Sequence, residues 1–320
     1  MARVWVLGGG LIGCGWAAAF AGAGHDVAVV DPDATVVAPR LAATWEAARP
    51  ALARLGLLAE DARAPEAFAR AEDCGAAPDL VQESLPERLD LKLAALAALE
   101  PLLGPDTIVA SSSSGLSPDA LQAALARPER LVIAHPCNPP YLMPVVELCG
   151  GAATAPAVLA RAEAFYAAMG KTVLVMAKPM PGHLVNRLQA ALWREAVHLA
   201  REGVASLADI ERAVTLGLAP RWCLVGPSTV FHLSGAEGGM GRFIEALGPE
   251  VERWWASLGT PALDEETRAA LVAGMAAADP RPVAEIAAAR DALMPEILAF
   301  LDTRVRHPST DQAQPGGKNT

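Results

Sequence analysis

Residues 4–13 read Val4-Trp5-Val6-Leu7-Gly8-Gly9-Gly10-Leu11-Ile12-Gly13, and this stretch decides the fold. Four β-prone residues run straight into a G-x-G-x-x-G pattern that opens an alanine-rich helix, the strand–turn–helix context that gives such glycines meaning. Gly8 permits the tight turn, Gly10 lets the backbone approach a pyrophosphate, and Gly13 lets the helix pack closely on its strand. The helix N-terminus presents unpaired N–H groups and the positive end of its dipole to phosphate. A bare glycine cluster often marks an ordinary turn. Here Asp31 closes the next β-prone run, Asp26 to Val30, at roughly the 20-residue distance where an acidic side chain meets a ribose. That carboxylate repels a 2′-phosphate, and no arginine follows it before Arg40, so the pattern favours NAD over NADP. FAD shares the fingerprint and is the alternative cofactor.

Outward from this stretch, short β-rich runs alternate with longer helical ones. Leu80-Gln82, Thr107-Ala110 and Leu131-Ala134 read as strands; Ile12-Ala23 and Leu89-Leu103 read as helices, the second stopped by Gly104-Pro105. The alternation predicts an α/β chain with an N-terminal Rossmann-type doubly wound sheet, which Val145-Leu148 and Thr172-Val175 extend. Beyond Pro181 the β-rich runs vanish and helical patterns such as Asn186-Arg201 take over, with Leu188, Leu192, Ala196 and Leu199 on one face expected to pack against other helices. The segment Lys178-Pro179-Met180-Pro181-Gly182 resists continuing either element and is the natural connection. The expected organisation is a Rossmann domain over 1–180, an all-α substrate and dimerisation domain over 181–306, and a polar disordered tail over 307–320.

With 320 residues, 52% hydrophobic and 19% charged, the chain is long enough for two cores of a globular enzyme. A net charge of −10 and four lysines (Lys92, Lys171, Lys178, Lys318) argue against a nucleic-acid surface. No apolar run approaches the roughly 20 residues of a membrane helix, so no membrane partner is expected. The five cysteines are scattered without a CxxC pair, no metal-ligand pattern is present, and the first residues lack a basic signal segment. A cytoplasmic protein acting on a small molecule is the expectation.

The chemistry is sought where open α/β sheets bind ligands, at the carboxyl ends of the strands. His135, in His135-Pro136-Cys137-Asn138-Pro139-Pro140, stands at such an end. Glu147 lies inside the apolar run Val145-Val146-Glu147-Leu148, where a carboxylate costs free energy unless paired, and His135 is a sensible partner. The plainer readings are a structural histidine in a loop and a glutamate turned to solvent from an edge strand. Ser111 to Ser114 also follow a strand; they either cap the next segment or lend one hydroxyl to a substrate oxygen.

With these residues in place, the chain resembles the 3-hydroxyacyl-CoA dehydrogenase family, more closely its branch acting on free hydroxy acids. The likeness covers nearly everything up to Pro249. It is carried by Gly8 to Gly13, Gln82-Glu83-Ser84-Leu85-Pro86-Glu87, Ala110 to Ser114, Ala134 to Glu147, Val185-Asn186-Arg187-Leu188 and the Gly217 to Gly241 region. The resemblance implies Ser114, His135, Glu147 and Asn186 as the catalytic pattern, and Leu11, Ile12, Asp31, Glu87 and Lys92 as further dinucleotide contacts. Glu87 and Lys92 also read as solvated charges on and before the Leu89-Leu103 helix, and Asn186 as a helix cap. On this reading His135 is the general base for an alcohol proton, Glu147 orients it, and Ser114 and Asn186 hold substrate oxygens.

Within the branch the motifs divide. Gly226-Pro227 with His232-Leu233 resembles the L-gulonate enzymes; Ala191-Leu192-Trp193-Arg194-Glu195-Ala196 and Gly235-Ala236-Glu237-Gly238-Gly239-Met240 resemble the L-carnitine enzymes. A sugar acid such as L-gulonate is the first expectation, carnitine the second, and an acyl-CoA the third, since an acidic chain suits a phosphorylated carrier less well. Arg221 is a candidate for a substrate carboxylate and Trp222 for a quaternary ammonium group; packing at a domain interface explains both equally well. A homodimer is expected through the helical half, as is common among the related enzymes. A non-catalytic, crystallin-like dinucleotide-binding protein is the alternative from another class.

Overall fold

In the computed structural model, which describes residues 1–305, the strand–turn–helix at residues 4–13 is central to an eight-stranded sheet. The tail expected over 307–320 lies outside the described residues. The strand order is β3 (Glu66–Phe68), β2 (Asp26–Val30), β1 (Arg3–Leu7), β4 (Leu80–Glu83), β5 (Ile108–Ser111), β6 (Leu131–Pro136), β7 (Val145–Gly150) and β8 (Thr172–Val175). The chain builds outward from β1 in one direction and then in the other from β4, so the switch point where ligands bind lies between these two strands. Neighbours pair in parallel except β6 with β7, whose antiparallel register sets His135 directly opposite Glu147.

The crossover helices are α1 (Leu11–Gly22), α2 (Ala34–Arg54), α3 (Leu89–Leu99), α4 (Pro118–Gln122) and α5 (Pro156–Ala168). Buried on α2 are Val37, Leu41, Trp45, Ala48 and Leu52, a stripe at helical spacing. Its internal Pro39 and Pro50, residues that remove a helix hydrogen bond, disguise it in the sequence. The expected helix Leu89–Leu103 ends as α at Leu99 and finishes in a 3-10 turn over Glu100–Leu102, Pro101 having no N–H to continue the ladder. The aromatic core sits between α1 and α5: Trp16 stacks on Phe20 at 5.1 Å between centroids and meets Tyr166 at 5.4 Å, all three fully buried.

Contacts divide the chain into two units, Met1–Arg187 and a second beginning at Leu188; α6 (Val185–Arg201) starts in the first. Every regular element of the second unit among its described residues is helical: α7 (Leu207–Arg212), a π-helical stretch (Ala213–Leu218), α8 (Ala219–Trp222), α9 (Pro227–Ser234), a 3-10 turn (Ala236–Gly238), α10 (Gly239–Ser257), α11 (Glu265–Ala278) and α12 (Val283–Val305). The buried positions on α6 are Ala196 and Val197, whereas Leu188, expected on the packed face, is 68% exposed. No described helix is long and apolar enough to cross a membrane.

Two glycines of the first turn are obligatory. Gly8 has φ +96°, in the left-handed region, and a Cβ on Gly13 would stand 1.9 Å from the Gly8 carbonyl oxygen. Gly13→Ala must therefore push α1 off β1. The expected destabilisation is about 2 kcal/mol or more, read as a lower urea midpoint; an unchanged midpoint would mean the helix moves freely on the sheet.

Candidate active site

The antiparallel pairing of β6 with β7 does the first work. His135 and Glu147 are opposed across the two strands, 5% and 0% exposed, and His135 Nδ1 lies 2.8 Å from Glu147 Oε2. The other carboxylate oxygen, Oε1, accepts the backbone N–H groups of Leu184 (2.6 Å) and Val185 (2.9 Å), at the start of α6. A carboxylate so placed accepts from Nδ1–H, which leaves the lone pair of the imidazole on Nε2. Facing Nε2 are Ser114 Oγ at 2.9 Å and Asn186 Nδ2 at 3.4 Å. Burial pushes the His135 imidazole below its ordinary value; the Glu147 hydrogen bond pulls the other way, and the neighbouring His183 ring adds to the lowering. The solvent-facing edge strand considered for Glu147 is thereby corrected, because β8 covers β7 on its far side and Glu147 has no exposed surface.

The four consecutive serines have four different partners. Ser111 Oγ donates to Glu83 Oε2 (2.5 Å), and Ser113 Oγ donates to Glu87 Oε1 (2.5 Å). Ser112 Oγ accepts from Trp16 Nε1 and Gln82 Nε2 and meets Ser84 Oγ. Ser114 alone among them reaches His135. Glu87 also accepts from the N–H groups of Gly115 and Leu116. Burial raises its carboxyl, but the Ser113 bond, the Gly115 bond, the Lys92 charge and the Leu116 bond outweigh it, and Glu87 is held below the usual carboxylate range.

Lys92 is not a solvated charge: it is 1% exposed, with Nζ 2.7 Å from Glu83 Oε1, 3.0 Å from the Leu85 carbonyl and 3.6 Å from Glu87. Glu83 itself is fully buried and also accepts the Leu85 N–H at 2.6 Å. The pair joins β4 to α3 beneath the serine loop. Sequence reasoning gave Glu83 no role, although a carboxylate closing the apolar run Leu80-Val81 carries the same signal as Glu147. Lys171 was also missed. It is 8% exposed, donates to the carbonyls of Pro140 (2.5 Å) and Met143 (2.8 Å), and so holds the loop joining His135 to Glu147; burial lowers it to about 8.

The β1–α1 turn fits a dinucleotide. A Cβ on Gly10 would meet nothing within 4 Å, which leaves the outer face of the turn open to backbone approach, and Leu11 and Ile12 begin the helix whose N–H groups face that opening. Asp31, just after β2, accepts the Gly9 N–H at 2.8 Å through Oδ2 and the Asp33 N–H through Oδ1. Arg40, carried back by α2, donates to the Gly9 carbonyl at 2.9 Å. Arg221, in the second unit, is exposed and donates to the Gly217 carbonyl. His232 accepts the Met240 N–H, which gives part of the gulonate-like motif a structural task in the α9–α10 connection.

A sheet that ends its central strand on a phosphate-binding turn and, at the end of β6, sets a buried imidazole against a buried carboxylate is built for an NAD-dependent dehydrogenase acting on CH–OH groups. The chain belongs to the 3-hydroxyacyl-CoA dehydrogenase family: residues 3–179 match its NAD-binding domain and residues 182–264 its C-terminal domain. It is 44% identical over 299 residues to an L-carnitine dehydrogenase of Streptomyces coelicolor, covering 92% of this chain and 93% of the relative. An L-carnitine dehydrogenase of a Pseudomonas species is 38% identical over 310 residues, covering 95% of each. Among solved structures, an NAD+-dependent 5-formyl-3-hydroxy-2-methylpyridine 4-carboxylic acid 5-dehydrogenase superposes with a TM-score of 0.75 at 27% identity, covering 94% of this chain and 99% of the other. The (S)-3-hydroxybutyryl-CoA dehydrogenase of Ralstonia eutropha gives 0.63, also at 27%, covering 85% and 94%.

Replacing Lys92 by Met leaves the Glu83 carboxylate buried without its cation. The expected loss is about 3 kcal/mol of stability in urea unfolding, the cost of breaking a buried pair from one side. A loss below about 1 kcal/mol would show that the Ser111 and Leu85 hydrogen bonds suffice.

Proposed function

We propose that this chain oxidises the 3-hydroxyl of L-carnitine, or of a free 3-hydroxy acid of the same kind, to the 3-keto acid. The observation that carries the chemistry is the His135 ring, tied through Nδ1 to Glu147 and offering Nε2 between Ser114 and Asn186. His135 Nε2 takes the hydroxyl proton, and the O–H electron pair becomes part of the new C=O bond. NAD, when bound, supplies the acceptor for the hydride that leaves the same carbon. Glu147 keeps the imidazole in the right tautomer and stabilises the imidazolium. Ser114 and Asn186 hold the substrate oxygen, and in the reverse direction His135 returns the proton. For the cofactor we assign Gly10, Leu11, Ile12 and Asp31 to direct contact, Gly8 and Gly13 to shaping the turn that receives it, and Glu87 and Lys92 to the wall beside it.

The relatives favour carnitine over the gulonate expected first from Gly226-Pro227 and His232-Leu233: chains 44% and 38% identical over nearly their whole length bear that name. We assign Arg221 to the substrate carboxylate, as an exposed guanidinium in the helical unit. Residues 1–180 serve the cofactor and the helical half serves substrate and dimerisation. Support for a homodimer comes from exposed Leu216, Leu233, Trp254 and Trp255 in the helical unit, apolar surface that a second copy would cover. A cytoplasmic setting accords with five free cysteines.

The test is NADH formation at about pH 9 with L-carnitine, L-gulonate, 3-hydroxybutyrate and 3-hydroxybutyryl-CoA in parallel, alkaline conditions favouring proton release. L-Carnitine should lead by at least about tenfold in kcat/KM. A lead for another acid would overturn the substrate, and silence on all four despite NAD binding would favour the non-catalytic class. Because His135 is lowered from 6.5, its base form persists below that pH, and the acid limb of kcat/KM should fall below 6.5. An acid limb above 6.5 would contradict His135 as the base.

A further inference from the structure

The hydrogen bonds around Ser112 run in one direction, and they end on Ser84, the residue that follows β4. Ser112 Oγ lies 3.1 Å from Trp16 Nε1, 2.9 Å from Gln82 Nε2 and 2.9 Å from Ser84 Oγ. The indole N–H only donates. The Gln82 amide is oriented from two sides: its Oε1 takes the hydroxyl of the fully buried Tyr166 at 2.5 Å, and its Nε2 also faces the Ala134 carbonyl at 3.4 Å, which only accepts. The end of the amide that meets Ser112 is therefore its N–H end. A serine oxygen has two lone pairs and one proton. Trp16 and Gln82 fill the two lone pairs, so the Ser112 proton goes to Ser84. Ser84 accepts it, and its own proton is left for a group outside the network.

That proton stands beside the turn after β1. The Ser84 N–H donates to the Leu7 carbonyl at 2.8 Å, and the Ser84 carbonyl oxygen would lie 2.9 Å from a Cβ on Gly8. Strands β1 and β4 flank the switch point, at whose carboxyl end open α/β sheets take their ligands. Ser84 is partly exposed there, whereas Trp16, Gln82 and Tyr166 behind it are buried. Among the described residues Ser84 Oγ bonds only to Ser112, which cannot take a third donor. In the free chain water serves as the acceptor. A dinucleotide that covers the turn displaces that water and must offer an acceptor in its place, or the hydroxyl is left unsatisfied at a cost. We propose that Ser84 is a cofactor-binding residue, its hydroxyl donating to an acceptor oxygen of bound NAD. The inference rests on the β1–α1 turn receiving NAD and does not depend on the identity of the substrate.

Calorimetric titration of NAD into the full chain and three variants tests it. Ser84→Ala should weaken NAD binding by about threefold or more, the loss of one hydrogen bond, and Ser84→Thr, which keeps the hydroxyl, should recover most of that loss. Ser112→Ala breaks the same Ser84–Ser112 bond from the other side and leaves the Ser84 hydroxyl able to donate outward. It should lower the urea midpoint by stranding the Trp16 and Gln82 donors, while the Kd for NAD changes by less than about threefold. A Kd for Ser84→Ala within about threefold of the unaltered chain would overturn the proposal. So would a Ser112→Ala chain that loses as much NAD affinity as Ser84→Ala, because the loss would then pass through the serine loop. Should Ser112→Ala not fold, the other two variants decide: a threonine that binds NAD no better than alanine rejects a contact through the hydroxyl. An unaltered chain that fails to bind NAD would overturn the cofactor assignment together with this proposal, whereas unchanged binding in Ser84→Ala overturns the proposal alone. None of these readings requires turnover, so the choice of L-carnitine stands or falls separately.

Discussion

A carboxylate with no exposed surface must have all its acceptor capacity spent, and much of this site follows from how Glu147 meets that demand. One oxygen takes His135 from the neighbouring strand; the other takes the first N–H groups of α6. The helix start offers donors that have no partner within the helix and the positive end of its dipole, so it satisfies a buried anion at little cost. In doing so it fixes where α6 begins, which places Asn186 beside Nε2 and sets His183 in the preceding turn. The proposed catalytic geometry and the connection into the helix share one interaction.

A second buried carboxylate organises the other half of the site. Glu83, at the end of β4, collects Lys92 from α3, the Ser111 hydroxyl from β5 and the N–H of Leu85. Its neighbour Glu87 gathers the Ser113 hydroxyl and the N–H groups of Gly115 and Leu116. Two of the four serines are thereby committed to carboxylates and Ser112 is committed to Trp16, Gln82 and Ser84, which pins the loop where Ser114 holds its distance from His135. Preorganisation of this kind is what positioning a substrate oxygen requires.

The parts legible in the sequence are those in which a local rule and the fold agree. The glycines at 8, 10 and 13 with Asp31 declare the central strand and its turn, and Glu147 betrays a buried partner because it interrupts an apolar run. What escaped depends on partners distant in the chain or on rules broken locally. Helix α2 hides behind Pro39 and Pro50 although its buried stripe is regular. Lys92 reads as a surface charge because Glu83, its counter-ion, lies on a different element. His183 belongs to no periodic pattern, and it meets His135 only when the turn before α6 folds against β6. The gulonate-like motif was read without its local setting: His232, counted toward a sugar acid, accepts the backbone N–H of Met240.

The central claim, that the cross-strand pair of His135 and Glu147 forms the catalytic base, is tested most directly by Glu147→Gln. The amide preserves shape and can still accept from the start of α6, but it no longer stabilises an imidazolium and it favours the wrong tautomer. The measurement is kcat for L-carnitine oxidation beside the Kd for NAD, in protein whose circular dichroism is unchanged. The account predicts a kcat lower by about 10³-fold or more with NAD affinity altered by less than about threefold. A kcat within about tenfold of the unaltered chain would contradict it and place the base elsewhere.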